Sequence, residues 1–105
     1  MRFVETPIFT KVVTALLDDE LYRQLQSALM RRPELGATIG GTHGARKVRW
    51  ARPGAGKRGG IRVIYYWAAR EEAFYMLYAY AKNQQGDLTS KQARVLAALI
   101  REEFK

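Results

Sequence analysis

The sequence has 105 residues, 48% of them hydrophobic, a net charge of +8 and no cysteine. The length suits one compact domain, and the missing cysteines exclude a disulfide framework or a thiolate metal site. The opening MRFVETPIF lacks the apolar core of a signal peptide, and no run approaches the ~18 apolar residues of a membrane span. We therefore expect a single cytoplasmic domain over residues 1–105 that has no membrane partner.

The excess positive charge lies in one central third of the chain. Residues 35–70 contain eight basic residues and no acid, whereas the remainder contains ten basic and ten acidic residues. A one-sided block of this kind favours a partner that carries phosphates, with an acidic protein surface as the alternative. Its members are Arg46, Lys47, Arg49, Arg52, Lys57, Arg58, Arg62 and Arg70.

The first third of the chain predicts a short strand and two helices. Arg2–Glu5 has the composition of an opening strand. Thr6 and Pro7 then have the residue types preferred at an N-cap and at the first helical position. The acids at 18–20 begin a second helix, because negative charge is stabilised at the positive end of the helix dipole. Pro33 ends that helix.

The central region predicts a loop followed by three strands. The segment GATIGGTHGARK, residues 36–47, is rich in glycine and threonine and favours a loop. Strands dense in β-branched and aromatic residues follow at Ala45–Ala51, Gly60–Ala68 and Ala73–Ala81. The first two strands are joined by RPGAGKRGG, which predicts a long basic hairpin loop.

The end of the chain predicts one more amphipathic helix. Thr89 and Gln92 have the spacing of a reciprocal capping box at its start. Consecutive strands with short turns pair antiparallel, and amphipathic helices must cover a sheet face. We therefore predict an α+β fold with two N-terminal helices, an antiparallel sheet of three to four strands and a C-terminal helix. We expect the helices on one face of the sheet and the other face partly open.

Several kinds of catalytic site are disfavoured by composition. His43 is the only histidine and lies in the glycine-rich loop, so no zinc site is expected. GKRGG lacks the spacing of a phosphate-binding P-loop, and the acids gather at helix starts and turns. We therefore expect neither a metal nor a cofactor, and arginine, lysine and tyrosine remain for chemistry.

Those residue types suffice to cleave RNA, whose 2′-OH is an internal nucleophile. Arginine binds phosphate oxygens with a rigid fork, and lysine or tyrosine exchanges protons when its pKa is shifted. Arg62 lies on the middle strand, and Lys82 ends the next strand on the side of Tyr78 and Tyr80. The pattern predicts that the Arg62 and Lys82 side chains converge, although arginine and lysine on strands are more often exposed to solvent than catalytic.

The sequence resembles the RelE/ParE superfamily of bacterial toxins, and within it the HigB-like branch. The resemblance rests on GARKVRW, GKRGGIRVIYYW and FYMLYAYAKNQQGDLT, and on the order of the predicted elements. It implies a RelE-like fold and a metal-independent endoribonuclease that cleaves messenger RNA in the ribosomal A site. The 2′-OH would attack the phosphate and leave a 2′,3′-cyclic phosphate and a 5′-OH.

The resemblance also implies site residues. By position, Arg62 corresponds to the arginine that stabilises transition-state charge, and Lys82 closes the following strand. Some relatives carry a C-terminal tyrosine or histidine, but this chain ends in REEFK, which leaves Lys47 and Tyr80 as candidate general bases. The predicted catalytic residues are Arg62, Lys82, Lys47 and Tyr80. The predicted RNA-binding residues are Arg46, Arg49, Arg52, Lys57 and Arg58.

Two other functions stay open at this point. ParE-like relatives act on DNA gyrase, and a non-catalytic RNA-binding or ribosome-associated module would use strand aromatics to stack bases. The resemblance implies an antitoxin partner, which we expect to carry a helix-turn-helix domain and to make any contact with operator DNA. The ribosome and messenger RNA are the other expected partners.

Overall fold

The computed structural model describes residues 1–51 and 60–104. Most of the predicted hairpin loop, including Arg52, Lys57 and Arg58, lies outside the described residues. A short 3-10 turn at Ala69–Glu71 follows the fourth strand. The other elements, in chain order, are β1 (Arg2–Glu5), α1 (Pro7–Leu16), α2 (Asp19–Arg31), β2 (Ala37–Thr38), β3 (Arg46–Trp50), β4 (Ile61–Ala68), β5 (Ala73–Ala81) and α3 (Ser90–Phe104).

Side-chain caps fix the starts of the N-terminal helices. Thr6 Oγ1 accepts a hydrogen bond from the Phe9 amide at 3.1 Å, and Asp18 Oδ1 accepts one from the Leu21 amide at 2.8 Å. Each bond satisfies a backbone donor that the first helical turn leaves without a partner. The predicted starts of both helices are therefore confirmed.

The predicted capping box of α3 is confirmed in both directions. The Gln92 amide donates to Thr89 Oγ1, and the Thr89 amide donates to Gln92 Oε1, each at 3.0 Å. This reciprocal pair fixes the residue at which α3 begins, and with it the path of the loop that enters the helix.

The strands form one five-stranded sheet in the order β1-β5-β4-β3-β2. The pairs β2–β3, β3–β4 and β4–β5 are antiparallel, as predicted. The prediction of a wholly antiparallel sheet of three to four strands was wrong in two details. β1 pairs in parallel with β5, and Ala37–Thr38 within the predicted loop pairs with β3.

The helices lie on both faces of the sheet, so the prediction that one face stays open was wrong. A first buried cluster joins α1 and α2 to β4 through residues such as Phe9, Leu25 and Val63. A second cluster, with Ile64 and Leu96, lies under α3. Neighbouring residues of a strand point to opposite faces, so Val63 and Ile64 separate the two clusters. β4 is buried at nearly every position because it is covered on both sides.

Candidate anion-binding site

A row of three side chains crosses the sheet on the face that carries α3. Arg62 of β4 is the register partner of Arg49 on one side and of Tyr80 on the other. The next row on the same face contains Lys47, Ile64 and Tyr78. Two arginines directly opposite each other repel, so this arrangement costs stability unless an anion lies between them. The strands therefore hold a concentrated set of donors for a negatively charged group.

Arg62 is buried, with 7% of its surface exposed. Within residues 1–51 and 60–104, its only side-chain hydrogen bond runs from Nη1 to the carbonyl oxygen of Ile61 at 3.3 Å, and no acid pairs with it. A guanidinium has five N–H donors, so most of this capacity is unused among the described residues. Gly60 keeps space beside it, since an added Cβ would lie 3.0 Å from the Trp50 carbonyl oxygen and 3.7 Å from Arg62 Nη1.

Tyr80 is even more buried, and its hydroxyl has no hydrogen-bond partner in the part of the chain that is described. Burial, and to a smaller extent the nearby Asp87 carboxylate, raise the pKa of Tyr80 to about 12, while Arg62 acts in the opposite direction. The hydroxyl therefore remains protonated at neutral pH and is available as a donor. A buried hydroxyl without a partner costs about 1–3 kcal/mol, which an arriving acceptor oxygen would recover.

Lys47, in the neighbouring row, forms an ion pair with Asp87. Lys47 Nζ lies 3.2 Å from Asp87 Oδ1, and the carboxylate is 72% exposed. The Leu88 amide donates to the same oxygen at 2.8 Å, and this bond and the Lys47 ammonium hold the pKa of Asp87 below its usual value. Asp87 is thus a fixed negative charge beside the predicted cationic residues.

Lys82 lies just past the end of β5. Its amide donates to the Gly60 carbonyl oxygen at 3.0 Å, which continues the β4–β5 pairing two residues before Arg62. Its Nζ turns back to donate to the Gly86 carbonyl oxygen at 3.0 Å. Lys82 thus lies opposite Gly60, two positions from Arg62, and its ammonium turns toward the loop that leads to Asp87. The convergence of the Arg62 and Lys82 side chains stays a prediction.

Arg46 lies on the opposite sheet face from Lys47, Arg49 and Arg62. Its strand partner is Tyr65, which belongs to the cluster under α1 and α2. Arg46 Nη1 donates to the Gly36 carbonyl oxygen at 2.8 Å and so anchors the segment before β2. Arg46 is therefore not part of the row that contains Arg49 and Arg62.

Sequence reasoning missed Asp87. The segment NQQGDLT predicts no site residue by itself, because an acid shortly before a helix is usually a cap. The partner of Asp87 is Lys47, forty positions earlier in the chain, and strand order brings the two together. The signal that was available is that Asp87 is the first acid after Lys82.

The described residues contain no group of three or more histidine, cysteine, aspartate or glutamate side chains that could hold a metal ion. In the same ranges, no helix is both long enough and apolar enough to cross a membrane.

The architecture and the row of donors define an α+β protein whose sheet face carries a candidate anion-binding site. A family model described as the RelE toxin of the RelE/RelB toxin–antitoxin system matches residues 1–104. The chain belongs to this RelE toxin family, and the predicted superfamily is confirmed. Its expected partner as a toxin of this type is an antitoxin. The narrower assignment to the HigB-like branch stays a prediction.

Proposed function

We propose that this toxin is a ribosome-dependent endoribonuclease that cleaves messenger RNA at the A-site codon. The observation that carries the proposal is the register row Arg49–Arg62–Tyr80, in which a buried arginine has no acidic partner among the described residues. A structural arginine at such a position would be expected to pair with an acid. The row instead offers donors to an incoming anion, and a scissile phosphodiester is such an anion.

In this reaction the 2′-oxygen attacks phosphorus and the bond from phosphorus to the 5′-oxygen breaks. The 2′-OH proton must leave, and a proton must reach the departing 5′-oxygen. The Arg62 guanidinium is held by a central strand, so it can stabilise the charge of the phosphorane more than that of the ground state. The row suits this role because no acid within residues 1–51 and 60–104 forms an ion pair with Arg62.

The proton transfers divide between the remaining residues. A raised pKa makes the Tyr80 hydroxyl a poor base at neutral pH but a competent donor to a phosphate or leaving-group oxygen. Lys47 and Lys82 stay as predicted catalytic residues, and Lys47 is the remaining candidate base. Arg49, together with Arg52, Lys57 and Arg58 of the predicted hairpin loop, is the predicted contact to the RNA backbone.

The family places the chain in a toxin–antitoxin system, so an antitoxin is its natural inhibitor. We propose that this antitoxin carries the helix-turn-helix domain and the contacts to operator DNA. The toxin would act in the cytoplasm, where ribosomes and messages are present.

Brief expression followed by transcriptome-wide mapping of 5′-OH ends tests the nuclease. New ends confined to translated reading frames are expected, and they should vanish when translation initiation is blocked. Growth arrest with intact messages and trapped gyrase–DNA complexes would replace this proposal with the ParE-like activity. Ribosome binding without any new ends would favour the non-catalytic module.

A further inference from the structure

The ion pair between Lys47 and Asp87 places a negative charge where an RNA phosphate would be attracted. Lys47 lies one row from Arg49 and Arg62 on the same sheet face. The Asp87 carboxylate lies 3.2 Å from the Lys47 ammonium, and the Lys82 ammonium also acts on it. The same carboxylate lies close enough to Tyr80 to affect that hydroxyl. One exposed acid thus faces cationic and donor groups from β3 and from the end of β5.

The loop that carries Asp87 is tied in place by its own hydrogen bonds. Gln85 Nε2 donates to the Asp87 carbonyl oxygen at 2.8 Å and to Gln92 Oε1 at 3.0 Å. Lys82 Nζ donates to the Gly86 carbonyl oxygen, and the capping box of α3 begins two residues after Asp87. These hydrogen bonds fix the conformation of the turn, so the Asp87 carboxylate is held close to Lys47.

The Lys47–Asp87 ion pair is weak enough for an anionic ligand to replace Asp87 at Lys47. Asp87 is mostly exposed, and ion pairs of this kind contribute only about 0–1 kcal/mol because water and salt screen them. A phosphodiester carries a full negative charge and brings several oxygens to the same face, so it can take the ammonium from Asp87 at little cost. The Leu88 amide would still hold the carboxylate in the turn.

We propose that Asp87 is an internal competitor for RNA, which occupies the phosphate position at Lys47 and is displaced when the substrate phosphodiester binds. This inference rests on the proposed function of the same sheet face. It assigns Asp87 to substrate affinity: the acid sets how tightly a single-stranded RNA phosphate is held, and it neutralises one lysine of the basic surface while the site is empty.

The test measures RNA binding apart from cleavage. A 2′-O-methyl RNA oligonucleotide has no free 2′-OH, so its binding to the full chain can be measured by fluorescence anisotropy across a potassium chloride series. Asp87→Asn removes the charge but keeps an oxygen acceptor for the Leu88 amide. We expect a dissociation constant about two- to fivefold lower than the parent's, the range that an exposed ion pair supports. The variant's advantage should shrink as the salt concentration rises, because salt screens the Lys47–Asp87 ion pair that RNA must break in the parent.

Two further variants decide whether the effect runs through Lys47. Glu20→Gln is the matched control, because it makes the same charge change at an exposed ion pair on α2, which packs on the opposite face. In the Lys47→Ala background, Asp87→Asn should give less than half of its gain in log affinity. An equal gain from Glu20→Gln, an undiminished gain without Lys47, or weaker binding by Asp87→Asn would each overturn the proposal.

Cleavage kinetics on translating ribosomes separate this inference from the proposed nuclease. A group that competes with substrate binding raises KM and leaves kcat unchanged. The tighter binding of Asp87→Asn should therefore appear as a lower KM. A fall in kcat of about 10²-fold, the size typical of a lost general base, would instead make Asp87 a catalytic residue and overturn the competitor role. Absence of cleavage by the parent chain would refute the nuclease, and the anisotropy result would still decide the role of Asp87.

Discussion

Replacing Arg62 with methionine should lower the cleavage rate and raise the stability of the fold. The side chain is buried, and among the described residues its guanidinium makes one long hydrogen bond and no ion pair. Burying a charged side chain without an ion-pair partner costs on the order of several kcal/mol, even after the surrounding protein relaxes. Methionine has a similar length and no charge, so it removes this cost while it fills most of the space.

We expect the Arg62→Met variant to gain about 1 kcal/mol of unfolding free energy or more, a rise in Tm of about 4 °C for a chain of this size. Its cleavage rate on translating ribosomes should fall by about 10²–10³, the usual effect of losing one transition-state donor. Arg62→Lys should restore little activity, because lysine keeps the charge but lacks the fork. Thermal melts and single-turnover cleavage on the same preparations measure both quantities.

Arg70→Met is the matched control, since it removes the same charge from an exposed position beyond the other end of β4. It should leave both Tm and cleavage near the parental values. A lower Tm for Arg62→Met would mean that Arg62 supports the sheet. A folded Arg62→Met variant that cleaves at the parental rate would remove Arg62 from the mechanism.

Three further predictions concern single features. Tyr80→Phe should lower cleavage but stabilise the fold, by about 1 kcal/mol, because it removes a buried hydroxyl without a partner. Because folding raises the pKa of Tyr80 from 10.0 to about 12, the parent should lose stability as the pH rises through this window, and Tyr80→Phe should lose less. Thr89→Ala should lower the unfolding free energy by about 1 kcal/mol in urea titrations, because the α3 cap is lost. Ser90→Ala is the control and should have little effect. An unchanged urea midpoint for Thr89→Ala would contradict the role of the cap. The double variant Lys57→Ala with Arg58→Ala should reduce the salt slope of RNA binding by about 1.4 and leave Tm unchanged. The control, Lys11→Ala with Arg23→Ala, should leave the slope unchanged. Equal slopes for the two double variants would exclude the predicted hairpin loop as an RNA contact.

Local signals were sufficient for most of the elements. Thr6, Asp18 and the Thr89–Gln92 pair each place a side-chain acceptor within one turn of the backbone donor it caps, so short sequence windows carry the helix starts. The strand periodicity also separated Arg62 from Val63 correctly. The sequence alone therefore determined where the helices begin, which strands pair in series and which basic residues lie on β3 and β4.

Only the tertiary structure decided which distant groups meet. β1 lies beside β5, although Arg2 and its partner Ala73 are far apart in the chain, and no local pattern records a parallel pair of this kind. Arg46 and Lys47 are neighbours in sequence, yet alternation sends Arg46 to the Gly36 carbonyl on one face and Lys47 to Asp87 on the other. The helices cover both faces because β4 and β5 are apolar on both sides, and burial of those two surfaces requires two layers of helix.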